Sequence, residues 1–167
     1  MRSCRDTAPD ANSSGSEGSR NAERSDTFDL DASRDRSGGV GEGSTYPWTA
    51  LDSEGRPLDG GKSYKLHLPP HVPVRTFWSV IVYSARTRSM VQTDQRFPSV
   101  SSQNEDLQAN ADGSVDVHFG PKPPADKESN WIQTVPGQAW FTILRLYGPL
   151  EPWFKGAWRP GEVELQP

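Results

Sequence analysis

The chain has 167 residues, of which only 32% are hydrophobic, a formal net charge of -4 and a single cysteine, Cys4. With that balance and no basic stripe, nucleic acid is not an expected partner, and one cysteine excludes an intramolecular disulfide. No apolar run approaches the roughly 20 residues that cross a bilayer, and the N-terminus lacks the apolar stretch of about 7 to 15 residues of a secretory signal, so the chain as written is expected to be cytoplasmic.

Residues 1–45 are dominated by Ser, Arg, Asp, Glu and Gly, and Phe28, Leu30 and Val40 are their only aromatic and large aliphatic side chains. Such a segment buries too little apolar area to offset an ordering cost of about 1 to 2 kcal/mol per residue. It is predicted to be a disordered tail whose removal leaves thermal stability unchanged. Its basic residues are all arginine, whereas every lysine lies at or after Lys62; that composition fits either a partner-binding tail or translation of a non-native reading frame. Cys4, with only Arg2 and Arg5 nearby to lower its pKa, reads as an inert thiol.

From Tyr46 the texture changes to period-two alternation between turn residues, which predicts a folded domain over residues 46–167. Tyr64, Leu66 and Leu68 alternate with Lys65 and His67, the pattern of a half-buried strand, and Pro69, Pro70 and Pro73 end it because they cannot donate to a ladder. Thr76 to Tyr83, TFWSVIVY, is apolar on both faces and predicts a central strand. NADG, Asn110 to Gly113, predicts a hairpin turn with Gly113 at positive φ. Val115, Val117 and Phe119 then point inward, with Asp116 and His118 outward.

Trp140 to Tyr147, WFTILRLY, is again apolar on both faces, and Val163 and Leu165 alternate with Glu162 and Glu164 in a short closing strand. Helix is confined to one turn between Pro149 and Lys155, ahead of Gly156. The fold class that follows is all-β, an antiparallel jelly-roll β-sandwich with a disordered N-terminal tail.

No set of residues points to catalysis. His67 and His71 are four apart, but Pro69 and Pro70 exclude the helix on which that spacing would join two metal ligands. The paired histidines and glutamate of cupin-type metal enzymes are absent, so neither a metal nor another cofactor is expected. No G-x-S-x-G elbow and no phosphate loop occur. The carboxylate pairs Glu105 with Asp106 and Asp126 with Glu128 lie in polar loops, where solvation is the ordinary state.

Three residues stand out as ligand-binding candidates. Arg145 shares a strand face with Phe141, Ile143 and Tyr147, so its charge needs a partner, with Asp116, Asp126 and Glu128 available. It reads either as half of an ion pair pinning two strands or as an anchor for an anionic or sugar ligand. Among the tryptophans, Trp78 and Trp140 suit the core, while Trp131, in a loop beside Asn130, is placed to stack on a sugar ring. Asn130 and a carboxylate near Arg145 would complete a polar cleft.

The segments PLDGGKSYKLHLPP (Pro57 to Pro70), FWSVIVYSARTRSMVQTDQRFPSVSSQ (Phe77 to Gln103), NADGSVDVHFGPKPP (Asn110 to Pro124), NWIQTVPG (Asn130 to Gly137) and LRLYGPLEPWF (Leu144 to Phe154) resemble the bacterial family called domain of unknown function 1214. The similarity runs from about Tyr46 to Pro167. One departure is Ser84-Ala85, where family members more often carry an acidic residue after the tyrosine.

The resemblance implies a jelly-roll domain that usually forms the C-terminal half of a longer secreted or periplasmic protein, behind a partner, domain of unknown function 1254. On that basis the chain reads as a truncated copy and as a non-catalytic binding or interaction module. The alternative is one half of an enzyme acting on saccharides or another small polar substrate, completed by the partner domain. A large exposed apolar patch would favour the module, and a deep polar cleft with Arg145, Asn130 and a carboxylate would favour the enzyme.

Overall fold

A computed structural model describes residues 27–29 and 39–167. The expectation of a disordered tail over residues 1–45 and the reading of Cys4 lie, for residues 1–26 and 30–38, outside the described residues.

Two sheets form the fold. The first contains β1 (Ser44–Thr45), β2 (Trp48–Thr49), β4 (Val74–Ser84), β5 (Ser99–Ser101) and β8 (Trp140–Pro149), in the order β1-β8-β4-β5 with β2 also on β8. The second contains β3 (Tyr64–Leu68), β6 (Val115–Gly120), β7 (Trp131–Gln133) and β9 (Val163–Leu165), in the order β7-β6-β3-β9. Most connections, among them β2 to β3, β3 to β4 and β7 to β8, pass from one sheet to the other, so most neighbours in a sheet are distant in the chain, the all-β jelly-roll sandwich expected from the sequence. Pairing is antiparallel with one exception: β7 runs parallel to β6.

The alternating residues close the core as expected. Leu66, Leu68, Val80, Val82, Val117, Leu144 and Leu146 are inaccessible to solvent, each on the inward side of its strand. Trp140 sits among them at 2% exposure, with Tyr64 meeting it edge-on at 5.7 Å and Phe119 tilted against it at 4.9 Å. Trp78, Trp153 and Trp158 are also buried. Each fills volume that several aliphatic side chains would otherwise supply, which a domain of this size needs.

Several elements differ from the expectation. The central strand starts at Val74, two residues early, and its pairing with β8 shifts between Val74 and Phe77. The turn at Asn110 forms, with Gly113 at φ 84° and its N–H donated to the Asn110 carbonyl, but no strand precedes it, so it does not close a hairpin. Four short strands, β1, β2, β5 and β7, were absent from the sequence reading. The expected helical turn is Glu151–Phe154, with Pro152 in its first turn and Gly156 beyond its end at φ 71°.

The N-terminal boundary also moves. Ser44 and Thr45 pair with Tyr147 and Leu146, so the sheet begins before Tyr46. Upstream, Asp29 bridges to Trp48, and Phe28 is 5% exposed inside the core cluster. A lone aromatic in a polar segment finds a place in the sandwich, which composition averaged over 45 residues conceals.

Candidate functional site

Register places the outward residues of the first sheet in rows. Because directly opposed residues of an antiparallel pair project to the same face, Phe77 stands beside Tyr147, Ser79 beside Arg145, Ile81 beside Ile143 and Tyr83 beside Phe141. On the other side of β8, Ser44 opposes Tyr147 and Trp48 opposes Ile143. Pro47 separates β1 from β2, and its carbonyl accepts the Leu144 N–H at 2.9 Å. This break sets Tyr46 beside Arg145. The outcome is an apolar, aromatic outer face with Arg145 set among its rings.

Two aromatic clusters flank the middle of that face. At one end Phe77 stacks on Tyr147 with centroids 4.2 Å apart, and Tyr46 meets Tyr147 edge-on at 6.3 Å. At the other, Phe141 stacks on Tyr83 at 5.4 Å and meets Trp48 edge-on at 5.9 Å. Trp48 is exposed, and Phe77, Tyr83, Phe141, Ile143 and Tyr147 are half-buried.

Arg145 lies where the sequence placed it, on the face with Phe141, Ile143 and Tyr147, but its neighbours are not carboxylates. Its guanidinium carbon is 5.1 Å from the Tyr46 ring centroid and 5.3 Å from that of Tyr147. Among the described residues it forms no ion pair with an acid. Asp116 belongs to the second sheet, where its carboxylate meets His67 Nδ1 at 2.7 Å and accepts from Asn110 Nδ2 at 3.1 Å. The face remains half-wet, so two electron-rich rings suffice to hold the cation.

The two phenols titrate apart. Tyr46 is held below its ordinary value, first by the hydrogen bond from Ser44 Oγ at 2.5 Å and then, against burial, by Arg145. Burial pushes Tyr147 up, with Arg145 opposing. The Ser44 hydroxyl donates to Tyr46 and is no activated nucleophile. The arrangement suits the binding of flat apolar and anionic groups.

The other two candidate residues are elsewhere. Asn130 is 2% exposed, and its amide is fully engaged: Nδ2 donates to the carbonyls of Gln108 and Asp116 at 2.7 and 3.0 Å, and Oδ1 accepts from the Gln108 N–H at 2.9 Å. It ties a loop to the second sheet and, at that burial, offers no exposed donor to a ligand. Trp131 is not in a loop; it opens β7, half-buried, with its indole N–H donated to the Gly120 carbonyl at 3.0 Å. Both belong to the second sheet's edge and share no cleft with Arg145. Trp48, missed by the sequence reading, is the exposed indole, and alternation with buried Thr49 was the only signal for it.

His67 and His118 face outward on the second sheet as expected, and burial pushes the His118 imidazole down. Among the described residues no three His, Cys, Asp or Glu side chains gather closely enough to hold a metal ion. No helix among them is long and apolar enough to cross a membrane.

No curated protein matches the chain. The solved VPA0106 protein of Vibrio parahaemolyticus superposes with a TM-score of 0.64 at 24% identity, over 74% of this chain and 31% of its own. A putative uncharacterized protein from Burkholderia cenocepacia gives a TM-score of 0.47 at 17% identity, over 74% of this chain and 29% of its own. The chain thus spans about a third of the length of the solved proteins it resembles. Residues 43–151 match the family described as "Protein of unknown function (DUF1214)", and the chain belongs to that family.

Proposed function

We propose that this domain is a non-catalytic binding module that docks a partner protein domain on the outer face of its first sheet, centred on Arg145. The observation that carries the reading is the row Phe77, Tyr147, Tyr46 and Arg145. Rigid aromatics around an arginine are the composition of interface hot spots, because they bury large area at little entropic cost. The partner favoured is domain of unknown function 1254, the companion that the family resemblance implies.

The enzyme reading is weaker on a specific point. It needed Arg145, Asn130 and a carboxylate in one cleft, and these residues lie on different sheets. A saccharide stacked on Trp131 would lie on the second sheet, apart from Arg145.

Calorimetric titration of the purified 1254-type domain into this protein tests the proposal. Saturable binding is expected, weakened roughly tenfold or more by Phe77→Ala and by Arg145→Glu. No binding, or binding indifferent to both substitutions, contradicts it.

A further inference from the structure

At the opposite end of the same face, a cavity of about 430 Å³ is lined by Trp48, Ala50, Ala85, Arg88, Phe141 and Ile143. Its volume falls in the range of roughly 300 to 1,000 Å³ typical of small-molecule sites. Its walls are set firmly, because Phe141 is stacked on Tyr83 and met edge-on by Trp48. The space exists because positions 50 and 85 carry only methyl groups; a longer side chain at either would fill it.

The polar element is Arg88. It lies in the turn between β4 and the Ser89–Met90 segment, at φ 58°, the left-handed region that disfavours a branched or long side chain. The turn is tied from several sides. Arg88 N–H donates to the Ser84 carbonyl at 2.9 Å, Ser84 N–H to the Ser89 carbonyl at 2.9 Å, and the Thr87 and Ser89 hydroxyls are 2.8 Å apart. Among the described residues the Arg88 guanidinium has no ion-pair or hydrogen-bond partner. Among the described residues no carboxylate lines the cavity. Arg88 is exposed, so water solvates its guanidinium when the cavity is empty; a cation beside an apolar slot, with no acid paired to it among the described residues, matches an anion that carries an apolar body.

We propose that this cavity binds an aromatic monocarboxylate of one or two rings, its ring system against Trp48, Phe141 and Ile143 and its carboxylate on the Arg88 guanidinium. The fork of the guanidinium matches a carboxylate in geometry, and one cation balances one negative charge. The site stands apart from the docking reading: Phe141 and Arg145 are four residues apart on one strand, about 13 Å.

The test is calorimetric titration with 2-naphthoate and with its neutral counterpart 2-naphthamide. Saturable binding of the naphthoate at one site is expected, with the amide weaker by roughly tenfold or more, since it lacks the charge-assisted hydrogen bonds. Arg88→Gly should lose the naphthoate preference while raising the thermal midpoint, because glycine adopts φ 58° without strain. Ala85→Leu, at an exposed position, should abolish binding by filling the slot. Absence of saturable naphthoate binding, equal binding of the amide, or affinity unchanged in Arg88→Gly or Ala85→Leu would overturn the proposal. None of these substitutions touches Phe77 or Arg145, so a failure here leaves the docking experiment intact.

Discussion

Asp52 illustrates how much a single side chain fixes. It is 1% exposed, and its carboxylate accepts from the Glu54 N–H at 3.0 Å, the Arg56 N–H at 2.9 Å and the Arg56 Nε at 2.9 Å. Burial works against the charged form, but these donors outweigh it, so the group sits below the ordinary carboxylate value. Asp116 follows the same balance, with His67 and Asn110 as the stabilising partners. A carboxylate lowered in the folded state contributes stability that is complete above its unfolded value of about 3.9 and is lost as pH falls through the lower folded value. The thermal midpoint is therefore expected to fall steeply below about pH 4. Asp52→Asn should lower it at pH 7 and flatten that acid limb; an unchanged pH profile would count against the assignment.

Trp140 gives a second test at this scale. Its ring is enclosed by Tyr64 and Phe119, yet its indole N–H is buried with no hydrogen-bond partner among the described residues. Trp140→Ala should cost about 3 to 5 kcal/mol in denaturant unfolding. Trp140→Phe should cost only about 1 kcal/mol, because losing the unsatisfied donor offsets part of the lost area.

Elements were legible in proportion to their length and alternation. Strands β3, β6 and β8 are buried in alternation along five or more residues, and β4 announces itself by its run of β-branched and aromatic residues, five of them buried in a row. Strands β1, β2, β5 and β7 are two or three residues long and owe their extended form to the partner strand beside them. That is also why the site was half legible. The face shared by Phe141, Ile143, Arg145 and Tyr147 lies within one strand, whereas Tyr46 reaches Arg145 only through pairing across the Pro47 break.

Close approach between elements supplies a further prediction. A Cβ on Gly60 would lie 2.1 Å from the Val135 carbonyl oxygen and 2.8 Å from that of Gln138, and the Gly60 carbonyl accepts from Thr134 Oγ1 at 2.8 Å. Both obstacles are backbone. Gly60→Ala should destabilise by about 3 kcal/mol or more, measured by denaturant midpoint, and a neutral result would mean the two loops separate readily.

The folded unit reaches further upstream than composition indicates. Phe28 is 5% exposed in the core cluster, and Asp29 N–H donates to the Trp48 carbonyl at 2.8 Å. Contrary to the sequence expectation, removing residues 1–45 should lower the thermal midpoint, and Phe28→Ala alone should cost about 3 kcal/mol. A truncated protein with an unchanged midpoint would show that this contact contributes nothing.

The sandwich engages Asn130 and Trp131 of its second sheet in structural hydrogen bonds and leaves its first sheet with an aromatic outer face around Arg145. Amide chemical-shift mapping on adding the unlabelled 1254-type domain reports on that division of labour. Perturbations should cluster on β4 and β8 around Phe77, Arg145 and Tyr147. Perturbations confined to β3, β6 and β9, or none at saturating partner, would contradict it.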